Sequence, residues 1–260
     1  IDSDIIFAIG GATYTMLLTS DGDLYAFGQN NHGQARGNGT TSSATTSALI
    51  ETDVKSVACG GYHTLILMNN GDVKGFGYNQ FGEARADSTT ITPRTTSAVI
   101  ETDCIAVAAG DYYSLALRTN GSVRAWGRND QGQARGTGNT TLVRSSATIE
   151  TNAIGIAGGG EHTLILMANG DVKAFGRNNY GQARGNGTTS SAINTAIIET
   201  GAKAIACGYN HTMILKDNGD LKGFGQNNYG QALGSGSTTT PQLTTSVIET
   251  GVADVKCGSA

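Results

Sequence analysis

Proline is nearly missing from this chain: Pro93 and Pro241 stand alone against 38 glycines. That ratio excludes a proline-rich linker and predicts many tight turns. Charge is scarce as well, at 15% of residues, where ordinary soluble domains carry about 25%. The formal net charge of −4 comes with no basic tail and no lysine block, so attraction to nucleic acid is not expected. No apolar run approaches the roughly 18 residues of a membrane span, and no membrane insertion is expected. Cys59, Cys104, Cys207 and Cys257 form no Cys-x-x-Cys pair, which speaks against a zinc site. Their apolar surroundings predict small buried thiols rather than disulfides. The chain starts without methionine and shows no signal peptide; the expectation is a processed product or an excerpt of something longer.

What is present is one pattern, repeated. Gly11, Gly60, Gly110, Gly159, Gly208 and Gly258 follow one another at steps of 49, 50, 49, 49 and 50 residues. Phe27, Phe76, Trp126, Phe175 and Phe224 keep the same step, as do Ile1, Ile50, Ile100, Ile149, Ile198 and Ile248. The 260 residues read as one repeat domain of five periods, at about 1–49, 50–99, 100–148, 149–197 and 198–247, with a partial sixth at 248–260. Each period opens with a small-residue run ending in glycine ("SVACGG", "AIACGY"). An apolar run ("TLILM"), an Asn-Gly or Asp-Gly turn, "VKGFGYN" or its equivalent, "GQARG", a Ser/Thr loop and "IET" complete it.

Asn-Gly between two apolar runs predicts a two-residue hairpin with positive φ at both central residues, pairing Leu65–Met68 with Val73–Phe76. The first of these strands is apolar on both faces, which predicts cover on both sides. A small residue recurs in the second, at Ala26, Gly75, Ala125, Ala174 and Gly223, so something packs close to its backbone. The two one-residue insertions fall in the Ser/Thr loops that hold the two prolines, where a loop meets solvent.

Four or so short strands per ~50-residue period, with no helical pattern, predict an all-β fold, a β-propeller of four-stranded blades. The stretch "VAAGDYYSLALRTNGSVRAWGRNDQGQ" resembles the regulator-of-chromosome-condensation repeat, and does so five times in phase across the chain. That family repeats a glycine, a His-Ser or His-Thr pair, an Asp/Asn-Gly turn, Trp-Gly and Gly-Gln once per blade. Its members typically close seven blades, so the resemblance implies that five periods are an excerpt of a larger, seven-bladed ring. This chain departs from the family in reading Gly-Gln/Glu-Ala-Arg where many relatives read Gly-Gln-Leu-Gly, and in replacing four of five tryptophans by Phe.

Chemical motifs are weak. "GQARGNGTT" has neither the lysine nor the following helix of a phosphate loop. His63, His162 and His211 share their phase with Tyr14 and Tyr113. That substitution argues against a metal ring and for a ring atom bonding a neighbouring backbone. Asp23, Asp72, Asp171 and Asp220 adjoin turn glycines and read as turn chemistry. No catalytic, cofactor or metal residue is expected. The sequons at Asn38, Asn120, Asn139, Asn186 and Asn210 leave glycosylation open in so threonine-rich a chain, and Asn210 precedes a buried strand, which argues against a glycan there.

Two rows remain as candidates. The loop after each conserved Asn varies between repeats, and it selects His32, Tyr78, Phe81, Arg128, Arg177, Tyr180 and Tyr229 as a partner-binding rim. Arg36, Arg85, Arg135 and Arg184 form a basic row. Lys74, Arg124, Lys173 and Lys222 share another phase, and Glu51, Glu101, Glu150, Glu199 and Glu249 recur every period; the reading of the arginine row is a ladder of Arg–Glu pairs between successive blades. The alternative for the row is a basic rim for an acidic partner or a glycan. The expected function is a non-catalytic scaffold recognising protein or glycan within a larger surface, secreted or virion-attached protein. The rivals are an intracellular adaptor or exchange factor for a small GTPase, and a structural repeat of a fibre.

Overall fold

The computed structural model describes residues 4–87, 90–234 and 240–257. Ile1 and Gly258, the ends of two sequence rows, lie outside the described residues. Twenty strands form five sheets, and the described residues contain no helix. The first sheet is β1 to β4 (Ile5–Gly10, Tyr14–Thr19, Leu24–Gly28, Ala44–Glu51) and the second β5 to β8 (Val54–Cys59, His63–Met68, Val73–Gly77, Arg94–Glu101). The third is β9 to β12 (Cys104–Ala109, Tyr113–Arg118, Val123–Gly127, Val143–Glu150) and the fourth β13 to β16 (Ala153–Gly158, His162–Met167, Val172–Gly176, Ala192–Glu199). The fifth is β17 to β20 (Ala202–Cys207, His211–Lys216, Leu221–Gly225, Gln242–Glu249). Each is a four-stranded meander in sequence order, every pair antiparallel. These are the blades of a β-propeller. Each "IET" closes a sheet rather than opening one. Residues 250–257 form no strand, although Val252 N–H bonds Gly219 O at 2.9 Å as the first strands of the second, third and fifth sheets bond the preceding turn glycine.

The chain divides into two compact units, Ile1–Arg128 with Leu142–Thr148, and Asn129–Thr141 with Ile149–Ala260. In the first, Met16, Leu18 and Ala26 of one sheet meet Val57, Ile66 and Phe76 of the next. Leu65, Leu67 and Val73 in turn meet Cys104, Ala116 and Trp126. In the second, Leu164, Val172 and Ala174 face Ala202, Ile214 and Phe224. β6 and β14 are buried at every position, as apolarity on both faces requires. The small residue of the third strand also has its reason. A Cβ at Gly75 would stand 2.6 Å from Ala84 O, because the Gly82–Glu83–Ala84 loop presses on that strand.

The hairpin differs from the sequence expectation. Only the glycine has positive φ (Gly71, 89°), and Gly71 N–H bonds Met68 O while Met68 N–H bonds Asp72 O. This is a three-residue loop, a type I turn with a left-handed glycine. The reason is the Asn-x-Asp brace: Asn70 Oδ1 accepts Asp72 N–H at 2.9 Å and its Nδ2 donates to the Asp72 carboxylate. Asn169 and Asn218 repeat it with Asp171 and Asp220. The turn reading of these acids is therefore correct, and the turn class was not. The four cysteines are free.

Candidate functional site

The Gly-Gln loop is built from two side chains per repeat, an asparagine buried in all five and a Gln or Glu buried in the first four. Asn30 Oδ1 accepts the N–H groups of Ala35 and Arg36, and its Nδ2 donates to Thr40 O and Ser42 O. Asn178 does the same for its own loop. Gln34 Oε1 accepts His32 N–H at 2.9 Å, and Gln182 and Gln231 accept Tyr180 and Tyr229 N–H at 2.8 Å. The recurrent glutamine thus holds the backbone of the variable residue. In the second repeat Glu83 takes this place, with Oε2 accepting Phe81 N–H at 2.8 Å. Its Oε1 is buried without a partner, and burial pushes this carboxyl up to about 8.

The loop also carries the blade-to-blade polar chain. Ser114 Oγ donates to Glu83 O at 2.8 Å, and His63 Nε2 lies 2.9 Å from the same hydroxyl. Since the hydroxyl proton is committed to the carbonyl, Nε2 carries the histidine proton and Nδ1 is bare. Burial drives His63 down to about 3, so it stays neutral. His162 and Thr212 repeat the pair at 3.0 Å, with Thr212 bonding Gln182 O. Tyr14 instead donates to the carbonyl of His63. The Tyr branch thus meets backbone as expected; the His branch meets a hydroxyl of the next sheet. Among the described residues no His/Cys/Asp/Glu group is arranged to hold a metal.

The charged rows sort differently from the expectation. Glu51 pairs with Lys74 at 2.7 Å, Glu101 with Arg118 at 2.6 Å and Arg124 at 3.4 Å, Glu150 with Lys173 at 2.6 Å, and Glu199 with Lys216 and Lys222 at 2.8 and 2.7 Å. Lysines carry most of these pairs and only Glu101 meets arginines; Arg36 and Arg184 are not among the cations. Arg36 donates to Thr46 O, and Arg184 to Ala174 O and Asn194 O, all in their own repeats. The backbone N–H groups of Arg85 and Arg135 donate to Gly82 O and Gly132 O, as those of Arg36 and Arg184 do to Gly33 O and Gly181 O. The short "GQAR" loop delivers the Arg36 and Arg184 side chains to backbone carbonyls rather than to the sheet's terminal carboxylate.

At the sheet ends opposite the Asn-Gly turns, two positions face each other in every repeat. The residue after the third strand bonds, N–H to O, the residue before the second: Gln29 to Thr13, Tyr78 to Tyr62, Arg128 to Tyr112, Arg177 to Glu161, Gln226 to Asn210. Their side chains match in chemistry each time. Thr13 bonds Gln29, Asn210 Nδ2 bonds Gln226 Oε1 at 2.9 Å, and Arg177 pairs with Glu161 at 2.8 Å. In the middle repeats of the first unit the pairs are aromatic: Tyr62 with Tyr78, and Arg128 lying 5.9 Å above the Tyr112 ring.

These pairs fuse into one cluster. His32 meets Tyr78 at 4.9 Å and Tyr62 at 6.2 Å; Tyr112 meets Tyr62 at 6.3 Å, Tyr78 at 5.8 Å and Phe81 at 5.5 Å. Arg128 caps both Phe81 and Tyr112. All six side chains are half-buried. Burial lowers His32 and keeps it neutral, and raises Tyr78 and Tyr112, with the Glu83 and Asp111 carboxylates adding to the two tyrosine shifts. Of the rim residues selected from the sequence, His32, Tyr78, Phe81 and Arg128 come together here. Arg177 is engaged by Glu161, Tyr180 is half-buried, and Tyr229 stands 92% exposed. Tyr62 and Tyr112 were missed. Their signal was variation in step with the residue sixteen positions on.

The family model described as RCC1-like domain matches residues 2–260. Among curated proteins no sequence matches. Similar solved structures include human WBSCR16, 21% identical with a TM-score of 0.81, covering 96% of this chain and 68% of that one. Prp20p from Saccharomyces cerevisiae, which binds Gsp1p and histones, is 19% identical with a TM-score of 0.81 over 98% of this chain and 67% of its own. The ectodomain of the Physcomitrella patens receptor kinase CR4 is 17% identical with a TM-score of 0.55, covering 91% of this chain and 54% of that one. At such identities the likeness is one of fold, and this chain spans about two thirds of the length of the first two.

Proposed function

The chain belongs to the RCC1-like domain family, and on that premise we propose a non-catalytic propeller scaffold that recognises a protein partner through the aromatic end of its first unit. One observation carries the reading. The same backbone pair is filled by Thr13–Gln29 and Asn210–Gln226 in other repeats, so the architecture does not require aromatic rings there. Five half-exposed rings and an arginine are the residue types that concentrate binding energy in protein interfaces. Structural likeness to both Prp20p and a receptor-kinase ectodomain leaves the compartment outside this reading, including the surface, secreted or virion-attached setting expected from composition.

The test replaces Tyr62→Asn together with Tyr78→Gln, importing the fifth repeat's pair onto a backbone that already accepts it. Proteins captured by the native chain and lost by this variant, with Tyr229→Ala unaffected, are the expected result; equal capture by both refutes the reading. A glycan array separates the glycan alternative. Likeness to Prp20p, a binder of Gsp1p, keeps an exchange-factor reading in play, and nucleotide release from a small GTPase tests it directly.

A further inference from the structure

Resting on the protein-recognition reading, we propose that the aromatic end of the first unit binds a proline-rich segment in the polyproline II conformation, with an acidic residue beside its prolines. The rings touch one another at centroid distances of 4.9 to 6.4 Å. No slot is left between them for an inserted cation or base, so the cluster is a platform. Tyr62 and Tyr112 are nearly parallel, 26° apart, with centroids separated by 6.3 Å. Polyproline II advances about 3.1 Å per residue with three residues per turn, so two residues span about 6.2 Å along its axis, close to the separation of the two ring centroids.

The electrostatics agree. Neutral His32 and protonated tyrosines give a surface of ring faces and hydroxyls. A polyproline II segment offers carbonyls with no internal partner, and its prolines have no N–H to leave unsatisfied. Its stiffness keeps the ordering cost low. The formal charges that adjoin Tyr112 are Arg128 and Asp111. The Arg128 guanidinium, 5.9 Å from the Phe81 and Tyr112 centroids, is the group of the platform that selects a carboxylate. A single-stranded nucleic acid would need a line of cations along its backbone, and the cluster supplies one.

The experiment is peptide-display selection on the whole chain, followed by anisotropy titration of a fluorescein-labelled decapeptide of alternating prolines with one glutamate. Selected sequences should be enriched in proline with a flanking Asp or Glu. The decapeptide should bind about tenfold more weakly to Tyr62→Asn/Tyr78→Gln and to Tyr112→Ala, and Glu→Lys in the peptide should weaken it several-fold. Tyr112→Phe should retain binding and shows that the platform, not the fold, is read. Selected peptides without proline that still depend on Tyr62 and Tyr112 overturn the polyproline assignment while protein recognition stands. A screen that returns no peptide also overturns it. Peptides indifferent to both tyrosines overturn both readings.

Discussion

Glu83→Gln should stabilise this protein, and the amount follows from one buried oxygen. Glu83 is fully buried, its Oε2 accepts Phe81 N–H, and its Oε1 has no partner. Desolvation raises the carboxyl from 4.5 to about 8. A carboxyl raised by the fold confers its full stability below the unfolded value, near 4.5, and loses it as pH rises toward 8. Each unit in that window costs about 1.4 kcal/mol, so at pH 7, about 2.5 units above the unfolded value of 4.5, the native side chain weakens the fold by roughly 3–3.5 kcal/mol. Glutamine keeps the acceptor and removes the charge. Elsewhere its amide donates to the residue three positions back, Gln34 to Asn31 and Gln133 to Asp130; Gln80 stands at that place in the second repeat. Differential scanning calorimetry at pH 7 should show Tm higher by roughly 6–14 °C. The native chain should lose stability between pH 5 and 8 while the variant does not. Superimposable Tm–pH curves would refute the argument, because they would mean that the carboxyl is solvated in the folded state.

Other expectations follow from the same packing. His63 is depressed to about 3, so its contribution is complete above about 6.5 and is lost as pH falls toward 3; His63→Tyr, matching Tyr14, should flatten the acid limb of the Tm–pH curve. His162, also near 3, should keep part of that limb. A Cβ at Gly136, where φ is +62°, would lie 2.8 Å from the Phe175 ring, and Gly136→Ala should cost about 1–3 kcal/mol by urea unfolding. Glu101 serves two arginines and its side chain is 4% exposed; Glu101→Gln should cost about 1–2 kcal/mol after allowing for the partly exposed arginines. That loss should shrink in high salt. Arg36→Ala, outside the ladder, should show no such salt dependence.

Much of the fold was legible because each period states the same pattern. The buried strand His63–Met68, the pairing with Val73–Gly77 and the close-packed Gly75 all follow from local composition. The turn class did not, because the Asn70–Asp72 brace competes with the two-residue hairpin that Asn-Gly alone favours. Charge phase announced ion pairs between blades but not their cations. Arg36 and Lys74 both recur every period, and only the path of the "GQAR" loop sends Arg36 to a carbonyl and leaves Lys74 beside Glu51. The aromatic cluster of the candidate rim was half legible. Variation marked His32, Tyr78, Phe81 and Arg128, while Tyr62 and Tyr112 were hidden beside the repeated His/Tyr position. Arg177 was marked too, yet Glu161 holds it.

By itself, then, the sequence determined the repeat, the five antiparallel sheets and the recurrent Asn and Gln (Glu83 in the second repeat) that pin each loop. Those depend on turn chemistry and on strand alternation, interactions reaching a few residues along the chain or across one hairpin. Tertiary structure alone decided which variable side chains meet. His32, Tyr62, Tyr78, Phe81 and Tyr112 come from three different periods, and their contacts exist because blades pack side by side and bring the same phase of successive repeats within one ring diameter.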